Sequence, residues 1–179
     1  MFAFFISFHR WNILVPNKPF VGLANFRKAF TDEYFLRSLW ISFKYALGVI
    51  PVKIVISFFF ALLIYSIPKF KSVFRVIYFL PAVTSVVAIS VIWTWIYHPH
   101  YGVANYLIGL FGAEPINWLG NPEIAIWSVV LVSVWRSVGY SIIIFLAGLN
   151  NIPSIILEAS DIDGATRWQK VKNIIIPLM

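Results

Sequence analysis

The residues of this chain able to do chemistry fall into three small groups. Glu158, Asp161 and Asp163 are acids followed closely by Arg167, Lys170 and Lys172; Lys53 and Arg136 are isolated cations inside long apolar runs; His98 and His100 sit two apart in a loop. The first group forms the one polar, helix-compatible segment of the chain, and apolar packing would not require it. A cation within an apolar run either lines a polar pathway or partner surface, or else snorkels or meets a backbone carbonyl or a neighbouring helix. Two histidines without a nearby carboxylate or cysteine fall short of a metal's ligand set. The chain has no cysteine, which removes disulfides, thiolate nucleophiles and thiolate metal sites. It also lacks a Gly-rich phosphate loop with its lysine, a nucleophile elbow and a helical His-Glu pairing, so no catalytic residue, metal or cofactor is expected.

The acidic group has a definite local frame. Pro153 suits the first turn of a helix, where its missing N–H costs nothing, and Ser154 supports that start. Ile155, Ile156, Ala159 and Ile162 recur at helical spacing and give one apolar face, while Glu158, Asp161 and Asp163 keep another face wet. Gly164 closes the helix in the left-handed conformation. A second helix is expected from about Thr166, polar through Lys172 and then abruptly apolar at Ile174, Ile175 and Ile176, as where a chain re-enters lipid. By itself this reads as a polar loop between two membrane spans.

Composition places those spans. With 60% hydrophobic and 12% charged residues and a mean hydropathy of +0.84, the chain is an integral membrane protein. Its net charge of +7 sits mainly between apolar runs, as topology signals do, which argues against nucleic acid as a partner. Residues 1–8 are too short to span and lack a basic leader; they read as the remnant of a first transmembrane helix. Residues 9–38 are mixed, aromatic and basic, and read as an external, interfacial segment. Full spans are expected at about 39–67, with a kink at Pro51, at 76–97, and at 124–149, with another starting near 173. Lys44 and Lys53 fall in the first of these. Lys69, Lys71 and Arg75 make the loop before the second span cytoplasmic, and the loop 98–123, without Lys or Arg, faces outward. Alternation then returns 153–172 to the cytoplasmic side. It also puts Arg10, Lys18, Arg27, Lys28 and Arg37 outside, against the usual charge bias.

The polar segment also carries a pattern. Glu158, Ala159, Ser160, Gly164, Ile174, Ile176 and Pro177 keep the spacing of the EAA loop, and the segment resembles that loop of the membrane subunits of ABC importers. Ser160 stands for the second Ala of the motif and Ile176 for its Leu. Asp163-Gly164-Ala165 and Trp168-Gln169 resemble the sugar-importer, maltose-type branch, although Val171 stands where that branch often has Phe. The runs Phe20-Val21-Gly22-Leu23 with Asn25-Phe26, Phe74-Arg75 with Phe79-Leu80-Pro81 and Trp93, Trp135-Arg136 with Val138-Gly139, and Leu146 to Leu149 with Ile152-Pro153 are similar to the same family.

The resemblance implies an all-α, polytopic transmembrane helical bundle of the MetI-like importer permease type, truncated at both ends. It implies a bacterial-type inner or plasma membrane location. The function implied is that of a non-enzymatic permease subunit of a binding-protein-dependent importer of sugars, oligosaccharides or a related polyol phosphate. Its partners would be a cytoplasmic ATPase dimer, a second permease subunit, an external solute-binding protein, a sugar-like substrate and the lipid bilayer. Glu158, Ala159, Ser160, Asp163, Gly164 and Ala165 would form the ATPase-coupling site, and Arg136 and Lys53 are the candidates for the translocation path. The alternatives are a secondary transporter or channel fragment, in which Lys53 and Arg136 serve ion or substrate coupling, and an inactive membrane remnant.

Overall fold

The computed structural model describes residues 2–12, 14–67 and 71–179, without the side chains of 71–73 and 75. The Lys69, Lys71 and Arg75 side chains expected to mark a cytoplasmic loop therefore lie outside the described residues. Among those described, every element is helical apart from one isolated antiparallel bridge between His9 and Phe20. The chain divides into two compact units, Met1–Ala46 and Leu47–Met179.

The first unit is a small aromatic assembly. A short helix, α1 (Phe2–Ser7), leads through the His9–Phe20 bridge to α2 (Ala24–Thr31). Asn25 ties the two ends together: its Nδ2 donates to the carbonyls of Ser7 at 2.8 Å and His9 at 3.0 Å. Phe8 meets the rings of both Phe20 and Phe26. Gly22 turns the chain at φ +55°, a conformation in which glycine meets no Cβ penalty. Asp32 then accepts from the Phe35 N–H at 2.9 Å and opens α3 (Glu33–Ser66). That helix starts six residues before the expected Leu39, because the Asp32 bond and Glu33 suit a helix N-terminus. Lys44 lies in this unit with its Nζ 5.3 Å from the centre of the Trp40 ring.

The second unit takes the rest of α3, which continues as helix through Pro51, together with α4 (Lys71–Val83), α5 (Val86–Ile96), α6 (Val103–Gly109) and α7 (Pro122–Asn151). Gly48 adjoins Val130, the Ser57 hydroxyl donates to the Val138 carbonyl at 3.3 Å, and the Phe58 ring meets that of Phe145. These contacts advance in the same direction along both helices, so α3 and α7 run parallel. Along α4 and α5 the order is reversed, with Tyr78 at Gly139, Trp93 at Trp135 and Tyr97 at Ser128. The ends of α3 and α7 consequently meet, and Ala61, Ile64, Ile142, Leu149, Ile152 and Ile175 form the buried core there.

Among the described residues two helices, α3 and α7, are each long and apolar enough to cross a membrane, and the spans number three if the bent pair formed by α4 and α5 counts as one. The stretch expected as a span over 76–97 is helical but broken: Val76–Val83 and Val86–Ile96 are two helices bent by 106° at Thr84 and Ser85. Pro81 removes one backbone donor from the helix before the break. The Thr84 hydroxyl donates to the Leu80 carbonyl at 2.7 Å, so part of the carbonyl demand at this helix end is met by a side chain.

The loop before α7 is built on one side chain. Asn105, buried, donates from Nδ2 to the carbonyls of Pro99 and Ile116, and its Oδ1 accepts from Ile116 N–H and Trp118 Nε1, all at 2.8–3.0 Å. Trp118 stacks on Tyr97, and Ser128 donates to the Trp118 carbonyl at 2.9 Å. Asn121 caps α7 by accepting from Glu123 N–H, with Pro122 in the first turn, the arrangement helix starts favour.

Candidate functional site

After Pro153 the chain forms α8 (Ser154–Ile162), one residue offset from the expected boundaries. Its end is a Schellman closure. Gly164 stands at φ +73°; the Ala165 N–H bonds the Ser160 carbonyl at 3.0 Å and the Gly164 N–H bonds that of Asp161 at 3.1 Å. Two otherwise orphaned carbonyls are thereby satisfied at the residue whose backbone needs a glycine. Thr166 starts the next helix, α9 (Arg167–Lys170), with a reciprocal capping box to Gln169.

Across that bend, Lys170 Nζ pairs with Asp161 Oδ1. Asp161 is largely exposed, so the pair fixes geometry more than it stabilises, at about 1 kcal/mol or less. Beyond α9 the helix widens into a π turn, Val171–Ile175, before α10 (Ile176–Leu178). Pro177 has no N–H to give the Asn173 carbonyl four residues back, and a wide turn is one way a helix absorbs such a loss. Val171 and Ile175 pack against the core at this point. The short helix is therefore pinned on both sides, by Ile152 before it and by Val171 and Ile175 after it.

The face that α8 turns inward differs from the expected one. Leu157 packs on the core and Ser160 is buried, with its hydroxyl donating to the Leu157 carbonyl at 2.6 Å. Ile155, Ile156 and Ile162 are instead exposed, Ile162 at 88%, and so are Glu158 and Ala159. Helical spacing made the isoleucines look like the packed stripe. Leu157 and Ser160, three apart, take that role because the chain enters α8 from Ile152, which is itself core. An apolar stripe with Glu158 in its middle is left open, beside exposed Asp163 and Gly164 and a half-buried Ala165.

The two isolated cations lie elsewhere. Lys53 is half-buried, one turn before Ser57 on α3. Arg136 is half-buried near the middle of α7, and its Nε is buried with no hydrogen-bond partner among the described residues. A charge at the centre of a membrane helix costs about 2.5–3.5 kcal/mol on insertion scales. Neither Lys53 nor Arg136 lines an apolar cavity of about 680 Å³ between α3, α4 and α7, faced by Val52, Ile56, Pro81, Val134 and Val138 among others. His98 stacks on Tyr101 with ring centres 3.4 Å apart, and no group of three or more metal-ligating side chains occurs among the described residues.

Comparison with known proteins gives this geometry a context. Residues 23–179 match the family described as "Binding-protein-dependent transport system inner membrane component". A probable ABC transporter permease protein of Pyrococcus horikoshii is 36% identical over 97% of this chain and 60% of its own length. The trehalose/maltose transport system permease protein MalF of Thermococcus litoralis is 31% identical over the whole chain and 61% of its own length. The arabinooligosaccharides transport system permease protein AraP of Bacillus subtilis is 34% identical over 99% of this chain and 56% of its own length. The chain thus spans less than two thirds of the curated relatives it matches. In fold it is similar to the crystal structure of a bacterial ABC transporter involved in import of the acidic polysaccharide alginate. That match has a TM-score of 0.79 at 24% identity and covers 89% of this chain and 57% of the other.

Proposed function

We infer the function of this chain from its family: it belongs to the binding-protein-dependent transport system inner membrane components. The family is one of multi-pass membrane permeases and not of enzymes. On that premise the chain is part of the permease of an ATP-driven importer whose cargo is a sugar or oligosaccharide, the cargo class named for its trehalose/maltose and arabinooligosaccharide relatives. An ATPase dimer, a second permease subunit and an external solute-binding protein complete the machine.

In this reading α8 is the coupling helix. Its docking face is Ile155, Glu158, Ala159 and Ile162, with Asp163, Gly164 and Ala165 shaping the turn and Ser160 seating the helix from within. The observation that carries the proposal is the split of α8 into a buried side and an open side. Leu157 and Ser160 anchor the helix to the core, while an apolar stripe with a carboxylate at its centre has no cover. A surface of that make-up fits a protein partner better than water. Because Ile152, Val171 and Ile175 clamp the flanks, force on the open side moves α7 and the helix after α8 as a lever. Differential contacts with the closed and open ATPase then shift the permease between its two states. Lys53 and Arg136 belong, in the same reading, to the translocation path.

Ile162 offers a clean test, because an 88% exposed side chain contributes little to the fold. Ile162→Asp in the complete subunit is expected to insert normally and to weaken retention of the ATPase on co-purification by about tenfold or more, the size of an interface hot spot. Retention equal to wild type would remove α8 as the docking element.

A further inference from the structure

We propose that Arg136 is the binding point for an oxyanion, a carboxylate or phosphate, supplied from outside these 179 residues. The inference rests on the transport reading above and deepens it by naming the chemistry that Arg136 receives. All seven acids of the chain lie outside 39–67, 76–97 and 124–149, so no carboxylate of these apolar runs can neutralise the guanidinium. On α7 the nearest acid is Glu123, thirteen residues away, or about 20 Å along the axis. Arg136 stands about 21 Å from either end of the helix, too far for its stem to carry the charge to the lipid headgroups.

Its Nε is buried and makes no hydrogen bond among the described residues, and an arginine cannot escape this by losing its proton. Helical spacing puts Arg136 on one stripe of α7 with Val129, Tyr140 and Ile143, which are 46%, 53% and 38% exposed. A guanidinium whose Nε lacks a partner among the described residues thus borders an uncovered face, and its planar fork matches two oxygens of a carboxylate or phosphate. Two sources fit that chemistry: an anionic group on the cargo, or an acidic side chain on a helix outside these 179 residues.

The test uses the complete transporter, purified in lipid nanodiscs, with Arg136→Gln and Arg136→Lys. Apparent melting is measured alone and with glucuronate or glycerol 3-phosphate as anionic probes, and with maltose as the neutral control. If a neighbouring helix supplies the anion, Gln lowers the melting point without any probe and Lys restores much of it. If cargo supplies it, Gln melts like wild type alone but its affinity for an anionic probe falls about tenfold or more, as loss of a charge-assisted pair would require. A Gln variant equal to wild type in both readouts overturns the proposal. Failure of wild-type vesicles to take up any sugar would strike the transport reading alone, because both melting readouts are independent of turnover.

Discussion

Gly139→Val is expected to destabilise the membrane domain by about 3 kcal/mol, the upper end of overpacking costs, and to lower the yield of inserted, folded subunit. A Cβ at Gly139 would sit 2.2 Å from the Tyr78 carbonyl oxygen, 3.0 Å from its carbon and 3.4 Å from the Phe79 Cα. All three are backbone atoms of α4, which cannot swing aside as a side chain can. Relief requires moving α4 away from α7, and with it Tyr78, which packs on the core. Alanine at the same position should already be harmful. Gly109→Ala is the control, since nothing lies within 4 Å of a Cβ there and a helical Gly→Ala change is neutral to favourable. Thermal melting of the purified full-length subunit reads all three. Equal melting of the Gly139 and Gly109 variants would mean that α4 and α7 do not approach this closely.

Glu158→Lys is expected to reduce uptake by about tenfold or more, a coupling loss within the usual range for linked sites, while insertion and melting stay near wild type. The side chain is exposed on the open side of α8, so its replacement costs the subunit no more than about 0.5 kcal/mol. Any large functional effect must therefore come from a partner that needs a carboxylate in the middle of the Ile155–Ile162 stripe. Glu158→Gln should fall between the two, keeping shape and hydrogen-bonding capacity but losing charge. Uptake in membrane vesicles, normalised to inserted protein, checks the order. A lysine variant with full uptake would leave Glu158 as a solvated surface acid.

Short-range chemistry was the part of this molecule legible in its residues. Gly164 ends α8 and Thr166 begins α9 because a left-handed closure and a capping box are decided within a few positions. The helical membrane class followed from the apolar runs themselves. Longer-range choices were not readable. The 106° break at Thr84 and Ser85 depends on how α4 and α5 pack on α7, and Pro81 near the start of an apolar run gave no hint of its size. Asn105 belongs to no motif or local spacing, yet its four bonds reach partners six to thirteen positions away. On α8 the regular spacing of isoleucines outweighed Leu157 and Ser160, and only the path of the chain from Ile152 decides which side is buried. The spacing to Gly164 and Pro177 singles out Glu158 as a candidate, but the bare apolar stripe around it is visible only in three dimensions.

Docking of α8 on the ATPase can be read by crosslinking. The chain has no cysteine, so single cysteines at Glu158 and Ala159 of the full-length subunit report without background from these 179 residues. The expected result is a crosslink to the ATPase in membranes, with a yield that changes when ATP is added. Correct insertion with no crosslink at either position, in the presence or absence of ATP, would contradict it.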